Sequence, residues 1–152
     1  MLKPKVSVVM AVYNGEQYLQ EAIESILSQT FSDFEFIIVD DASTDCTPEI
    51  VQNYAKYDKR IRLMRNKRNL GLTKSLNRGL NVSQGIYIAR QDADDLSLPK
   101  RLELQVHFLD DHIEIGALGA GVEIVDEKGS SLKEMGVPVA VSYTHLTLPT
   151  KA

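Results

Sequence analysis

The chain has 152 residues, of which 43% are hydrophobic and 25% are charged, and this composition fits one soluble globular domain. Its formal net charge of -4 provides no general attraction to nucleic acid or anionic membranes, so neither is an expected partner. No apolar run reaches the roughly 20 residues of a spanning helix, and no signal peptide precedes the first strand, so we expect a cytoplasmic protein. Peripheral attachment of the parent protein to the inner face of the membrane is left open.

The first strand and helix are predicted from the opening 27 residues. Val6–Val12 is a nearly continuous apolar run rich in β-branched residues, which is typical of a strand buried on both faces of a parallel sheet. Asn14 then breaks the run, and we expect it to cap a helix together with Gln17 three residues later. The helix is indicated by apolar residues at helical spacing, namely Leu19, Ala22, Ile23, Ile26 and Leu27.

Further strands alternate with helices along the chain. Strands are predicted over residues 34–39, 61–64 and 86–89. Between and after them we expect one helix with Thr47 as its cap and Pro48 as its first residue, a second from Leu72 and a third opened by Pro99. The apolar region 115–125 follows, with strand bends expected at Gly116, Gly119 and Gly121. The alternation predicts a mostly parallel sheet flanked by helices, with right-handed crossovers. No G-x-G-x-x-G pattern follows the first strand, so NAD is not an expected cofactor.

Carboxylates follow two of the predicted strands at the points where those strands end. Asp40-Asp41 follows the second strand, and Asp92-Ala93-Asp94-Asp95 follows the fourth. Ligands of open α/β sheets bind outside the carboxyl ends of parallel strands, so the two acidic ends can meet at one crevice. Mg²⁺ and Mn²⁺ prefer oxygen ligands and often lie between protein carboxylates and substrate phosphates. The pattern favours a metal and nucleotide site over the alternative of acidic turns that cap the next helices.

Five short motifs, in order along the chain, carry a resemblance to a known family. They are Val6–Asn14, Ser28–Thr30, Val39–Asp45, Asn69–Leu72 and Asp92–Asp95. Through them, residues 5–127 closely resemble the amino-terminal half of a family 2 glycosyltransferase, a nucleotide-sugar enzyme of the GT-A type. The resemblance implies a GT-A, Rossmann-like α/β fold with a mostly parallel sheet flanked by helices, truncated before the acceptor-binding half.

Two parts of the chain are distinguished on this basis. Residues 1–140 are expected to form the nucleotide-sugar, or donor, binding part of a glycosyltransferase domain. Residues 141–152 break the preceding pattern and closely resemble a translated sequencing adaptor. We interpret them as a non-native tail and leave them out of the fold prediction, with a natural threonine-rich terminal strand as the alternative.

The resemblance implies donor-binding roles for four residues. The ring of Tyr13 would stack on the nucleotide base, with simple packing as the alternative, and Asp41 would hydrogen-bond to the base. Asp94 would bind the Mn²⁺ or Mg²⁺ that bridges the diphosphate, and Asp92 would contact the ribose or the same metal. Alternate residues of an extended backbone face one side, so we expect Asp92 and Asp94 to address one ligand together.

Three cations need separate interpretations. Lys74 and Arg90 are hypothesised phosphate contacts, because a cation stabilises the negative charge that gathers on a departing nucleoside diphosphate. The alternatives are a solvated Lys74 and an Arg90 that is the structural counterion of the acidic cluster. Arg101 follows Pro99 and resembles a family position, but we interpret it as an exposed helical arginine.

The implied activity is metal-dependent, inverting transfer of a sugar from a nucleotide sugar, with a UDP-sugar as the expected donor, to a glycan or polysaccharide acceptor. Such a transfer requires a general base, and no carboxylate of this chain resembles the family's base, so no catalytic residue is named. The chain is therefore expected to be limited to donor binding. The alternatives are a nucleotide-binding pseudoenzyme module and a nucleotidyltransferase, and the latter is disfavoured because residues 13–17 lack a glycine-rich basic loop.

Overall fold

A four-stranded parallel sheet organises the amino-terminal two thirds of the chain. The computed structural model describes residues 3–126, 130–135 and 140–142, in two units that comprise Met1–Glu103 and Leu104–Ala152. The first unit contains β1 (Val6–Val12), α1 (Leu19–Leu27), β2 (Phe34–Asp40), α2 (Thr47–Tyr57), β3 (Ile61–Arg65), α3 (Leu72–Val82) and β4 (Tyr87–Arg90). The strand order is β3-β2-β1-β4, and every pairing is parallel. The predicted α/β fold with a parallel sheet is thus confirmed.

The two central strands form the core of this unit. Every residue of β2 is buried, as is every residue of β1 except Ala11. In the sheet register, Val8 lies between Phe36 of β2 and Ala89 of β4. Apolar runs without alternation are the expected sequence of strands covered on both faces, and the structure places helices against the sheet accordingly. Because all four strands run in one direction, their carboxyl ends lie along one edge of the sheet.

Two predicted helix caps differ from the structure, whereas α3 begins at the predicted Leu72. α1 begins at Leu19, after a Tyr18 cap that forms no side-chain hydrogen bond, so the predicted Asn14 cap is wrong. Asn14 instead adopts a left-handed conformation, with φ 51°, and its Oδ1 accepts a hydrogen bond from the Thr44 amide at 2.9 Å. Thr47 is the first residue of α2 rather than its cap, and its Oγ1 accepts from the Gly15 amide at 2.9 Å. These polar side chains join two loops instead of starting helices.

Helix α4 (Arg101–Asp111) begins two residues after the predicted Pro99 start and continues into the second unit. That unit contains two antiparallel strand pairs, in which β5 (Ile115–Leu118) pairs with β8 (Ala140–Ser142) and β6 (Val122–Val125) pairs with β7 (Ser131–Met135). Gly119 and Gly121 lie between β5 and β6, and Gly116 lies at a register irregularity of β5, in agreement with the predicted bends. Residues 143–152, most of the predicted non-native tail, lie outside the described residues.

No helix within the described ranges is long and apolar enough to cross a membrane.

Gly85, between α3 and β4, allows a close approach of two backbone segments. A Cβ added there would lie 2.4 Å from the Ser7 nitrogen and 2.6 Å from the Val6 carbonyl carbon. We expect Gly85→Ala to lower the free energy of unfolding by about 1–3 kcal/mol, since backbone atoms in a packed sheet cannot give way. Urea denaturation measures this loss, and Gln84→Ala, which trims an exposed neighbouring side chain, is the matched control. Equal stabilities of the two variants would contradict the packing argument.

Candidate functional site

A crevice of about 380 Å³ lies at the carboxyl edge of the sheet, where β1 and β4 end. This volume falls within the range of pockets that hold small molecules and cofactors. The crevice walls come from the end of β1, the loop after it, the first residue of α3 and the loop after β4. The lining residues are Ala11, Val12, Tyr13, Asn14, Gly15, Tyr18, Leu72, Arg90, Asp92, Ala93 and Asp94.

The turn after β1 presents Tyr13 to this crevice. Several hydrogen bonds hold the turn against the β2–α2 loop and the start of α2, including the bonds of Asn14 and Gly15 described above. In addition, the Asn14 amide donates to Ser43 Oγ at 3.0 Å, and the Glu16 amide donates to Asp45 Oδ2 at 3.1 Å. Gly15 also has little free space, because an added Cβ would lie 2.5 Å from Val12 Cγ2. Tyr13 therefore projects from a fixed backbone, and it is 50% exposed, which leaves one part of its ring available to a ligand.

The two carboxylates at the end of β2 have different structural partners. Asp40 Oδ1 accepts from the Ser43 amide at 2.9 Å, and Asp40 Oδ2 forms an ion pair with Arg65 Nε at 3.0 Å. Asp40 is fully buried, and its hydrogen bond to the Ser43 amide orders the β2–α2 loop from the protein interior. The Tyr13 turn is held by this same loop.

Asp41 is bound by the loop that leads into α3. Its Oδ1 accepts from Asn66 Nδ2 at 2.6 Å and from the Leu70 amide at 2.8 Å, while Oδ2 accepts from the Gly71 amide at 2.8 Å. Burial acts to raise the pKa of Asp41, but these hydrogen bonds outweigh it and the pKa is lowered overall. Asp41 is 3% exposed and does not line the crevice. Its hydrogen bond to a nucleotide base stays a prediction, and its observed partners belong to the protein.

The acidic turn, defined as Asp92–Asp95, brings two carboxylates to the crevice. Both Asp92 and Asp94 line it, and their roles toward a metal and a nucleotide stay predictions. The two side chains reach the crevice from a turn, in which the Asp95 amide donates to the Asp92 carbonyl at 3.3 Å. The expected extended backbone is therefore wrong. Asp94 is exposed, and its carboxylate forms no hydrogen bond or ion pair within the described ranges. It is available to an incoming cation.

The acidic turn fits a partly built site for a divalent cation. Among the described residues, no group of three or more His, Cys, Asp or Glu side chains could hold a metal alone. Burial raises the pKa of Asp95, and the neighbouring negative charges of Asp94 and Asp92 raise it further. This repulsion shows a local excess of negative charge. Mg²⁺ and Mn²⁺ are commonly held by one or two carboxylates together with substrate phosphates, which matches two crevice carboxylates without a third protein ligand.

The structure separates the two predicted phosphate contacts. Arg90 lines the crevice. It forms a bidentate interaction with Asp92, in which Nε donates to Oδ1 at 3.0 Å and Nη2 donates to Oδ2 at 2.9 Å. This geometry matches the counterion interpretation of Arg90. Lys74 is exposed in the first turn of α3 and is not a lining residue, although Leu72 of the same helix is.

No role at the site was predicted from the sequence for Gln91, and the environment predicted for Arg101 is wrong. Arg101 is not an exposed helical arginine, because its guanidinium donates to Gln91 Oε1, Ser97 Oγ and the Arg90 carbonyl, each within 2.8 Å. Gln91 is 2% exposed and lies beneath the acidic turn. A polar residue directly after a strand is ordinarily exposed, so no local pattern marks Gln91. The repeated acidic residues beside it were the only available signal.

Solved structures with this sheet and helix arrangement define the class of protein. The S. aureus TarS chain 1–349 in complex with UDP-GlcNAc has a TM-score of 0.69 and 31% identity, with coverage of 73% of this chain and 33% of that solved chain. The mannosyltransferase PcManGT from Pyrobaculum calidifontis, in complex with GDP-Man and Mn²⁺, has a TM-score of 0.65 and 28% identity, with coverage of 84% of this chain and 37% of PcManGT. The fold is that of the GT-A glycosyltransferases.

The family follows from the sequence comparison. The family described as "Glycosyl transferase family 2" matches residues 7–145, and the chain belongs to this family. EpsE of Bacillus subtilis (strain 168) is 53% identical over 127 residues, which cover 83% of this chain and 46% of EpsE. The chain spans about half the length of such relatives. Membership in this family displaces the nucleotidyltransferase interpretation.

Proposed function

We propose that residues 1–140 form the donor-binding part of a metal-dependent, inverting glycosyltransferase. The donor is a nucleotide sugar, for which we propose a UDP-sugar, and the acceptor is a glycan or polysaccharide. One observation carries the proposal, namely that an aromatic ring, Tyr13, and two carboxylates, Asp92 and Asp94, face one crevice at the carboxyl edge of the sheet. An aromatic face suits a base, and carboxylates suit a metal-bound diphosphate. The nucleotide complexes of TarS and PcManGT support this interpretation.

In this proposal, different residues bind different parts of the donor. Tyr13 binds the base by stacking, and Asp94, with Asp92, holds a divalent cation against the diphosphate. When bound, that cation neutralises the charge of the leaving nucleoside diphosphate. Arg90 and Lys74 remain proposed phosphate contacts, and of these Arg90 lines the crevice and orients Asp92. Asp41 remains the proposed hydrogen-bond partner of the base, and its carboxylate also holds the loop before α3.

The general base for the acceptor hydroxyl is not assigned to this chain. Inversion requires a group within hydrogen-bond reach of that hydroxyl, on the face opposite the leaving group. In the proposal, this group and the acceptor site belong to a part of the protein that corresponds to the remaining length of the relatives, and the reaction takes place in the cytoplasm. A pseudoenzyme module that binds nucleotide without transfer is distinguished by assaying UDP release from UDP-sugars in a full-length protein that contains this sequence.

Tyr13→Ala tests the base-stacking role. We expect it to weaken UDP binding in the presence of Mn²⁺ by about 1–3 kcal/mol, because the stacked ring is lost, while Tyr13→Phe keeps the affinity of the unmodified chain. Isothermal titration calorimetry measures both. The matched control is Tyr57→Ala, which removes a tyrosine that is 90% exposed on α2 and is not a crevice residue. Unchanged affinity in Tyr13→Ala would refute the assigned role of the ring.

A further inference from the structure

A single buried side-chain amide joins the two ends of the acidic turn. The backbone nitrogen of Gln91 donates to the Val9 carbonyl at 3.0 Å, which fixes this residue to β1. Its side-chain Nε2 then donates to two carbonyls of the turn, that of Asp92 at 3.1 Å and that of Asp95 at 2.7 Å. Both hydrogens of the amide group are therefore used to close the turn from below.

The oxygen of the same amide is held by the first residue of α4 and by the loop before that helix. Gln91 Oε1 accepts from Arg101 Nη1 at 2.7 Å and from Ser97 Oγ at 2.7 Å. A reversed amide would place its NH₂ against these donors and its oxygen against two carbonyls, so only one orientation satisfies all partners. Arg101 also donates through Nη1 to Ser97 Oγ at 2.7 Å and through Nη2 to the Arg90 carbonyl at 2.8 Å. The planar fork of the guanidinium thus connects both sides of the turn.

The guanidinium also places a cation beside the acidic residues. Burial lowers the pKa of Arg101, and the negative charges of Asp95 and Asp92 oppose this effect. Neither Arg101 nor Gln91 lines the crevice, so neither is placed to contact a ligand there. These two residues therefore act on a ligand there through the position of residues 90–95 and, for Arg101, also through its charge.

From this geometry we infer that Gln91 and Arg101 are positioning residues that hold the acidic turn in the shape that presents Asp92 and Asp94 to a metal-bound nucleoside diphosphate. The inference rests on the proposed function and extends it beneath the turn. Groups that orient metal ligands from behind are often nearly as important as the ligands, because a free carboxylate loses affinity when it must be ordered on binding.

Three variants of the 152-residue chain test this inference. Gln91→Ala removes the amide that joins the ends of the turn, and Arg101→Lys keeps a positive charge but loses the planar fork. Gln29→Ala is the matched control, since Gln29 is also buried and hydrogen-bonds to the Ser25 carbonyl, the Leu98 carbonyl and the Leu102 amide, all outside the acidic turn.

The first measurement is the affinity for Mn²⁺ in the presence of UDP. Electron paramagnetic resonance of free Mn²⁺ measures it, at a temperature where all variants are folded. We expect about tenfold weaker Mn²⁺ binding in Gln91→Ala and Arg101→Lys, and no change in Gln29→Ala. Full affinity in Arg101→Lys would overturn the role of the fork. Equal affinities of Gln91→Ala and Gln29→Ala would overturn the inference as a whole.

The second measurement needs no metal and separates this inference from the proposed function. Hydrogen exchange of the Asp95 amide, which donates within the acidic turn, should be at least tenfold faster in Gln91→Ala than in Gln29→Ala. Unchanged exchange would overturn the positioning role whatever the chain binds. Absence of Mn²⁺ and UDP binding in the unmodified chain would instead overturn the proposed function.

Discussion

Asp94→Asn is expected to weaken the Mn²⁺-dependent binding of UDP by this chain by about 100-fold or more, because the loss of a direct metal ligand should cost at least as much as the loss of a residue that only supports one. Asp94 lines the crevice, is exposed, and has no protein partner within the described part of the chain. Its negative charge is therefore available to a cation, and an amide oxygen is a much weaker ligand for Mn²⁺ than a carboxylate. Calorimetric titration of Mn²⁺ and UDP into each variant measures the loss.

Asp33→Asn is the matched control for this substitution. Asp33 is exposed and precedes β2, so it lies at the amino edge of the sheet, away from the crevice. The same change of charge there should leave the affinity for Mn²⁺ and UDP unaltered. Equal affinities of Asp94→Asn and Asp33→Asn would show that the acidic turn does not hold the metal.

Asp41→Asn is expected to lower the free energy of unfolding by about 3 kcal/mol at neutral pH, because buried donors lose a charged acceptor. The carboxylate accepts from Asn66 and from the amides of Leu70 and Gly71, and an asparagine presents only one oxygen to these three donors. The loop before α3 would lose its anchor to β2. Urea denaturation of Asp41→Asn, with Asp33→Asn as the exposed control, measures the difference.

The stability difference for Asp41→Asn should also depend on pH in a defined direction. The pKa of Asp41 is lowered in the folded chain, so its carboxylate contributes stability that is fully present above the unfolded pKa of about 3.9. This contribution is lost as the pH falls through the lowered folded value. The gap between the unmodified chain and Asp41→Asn should therefore be constant from pH 7 to pH 5 and shrink below pH 4. A gap that widens on acidification would show that the carboxylate is not stabilising.

Some elements of the fold follow directly from the sequence, and others depend on distant partners. β1 and β2 are nearly continuous apolar runs. A position in the middle of a sheet with both faces covered is what buries such strands completely. The caps of α1 and α2 were mispredicted because the side chains of Asn14 and Thr47 accept hydrogen bonds from amides about 30 residues away instead of from amides of their own helices. A capping pattern cannot reveal such a choice, since the competing donor is brought near only by the folded sheet.

The candidate site likewise contains features that could be predicted from the sequence and features that could not. Tyr13, Arg90, Asp92 and Asp94 follow strand ends, and parallel strands bring those ends together, so their convergence on one crevice could be predicted. The partners of Asp41 could not be predicted, because they come from residues 66–71 and their amides are presented only after the loop folds.

The central claim is that this chain contains a formed donor site, and thermal unfolding with UDP tests it most directly. The measurement compares the chain alone, with UDP, with Mn²⁺, and with both ligands together. The account predicts a substantial rise in Tm only with both, since ligand at 100 times its Kd adds about 2.7 kcal/mol of stability. A folded chain whose Tm is unchanged by UDP and Mn²⁺ together would contradict the account.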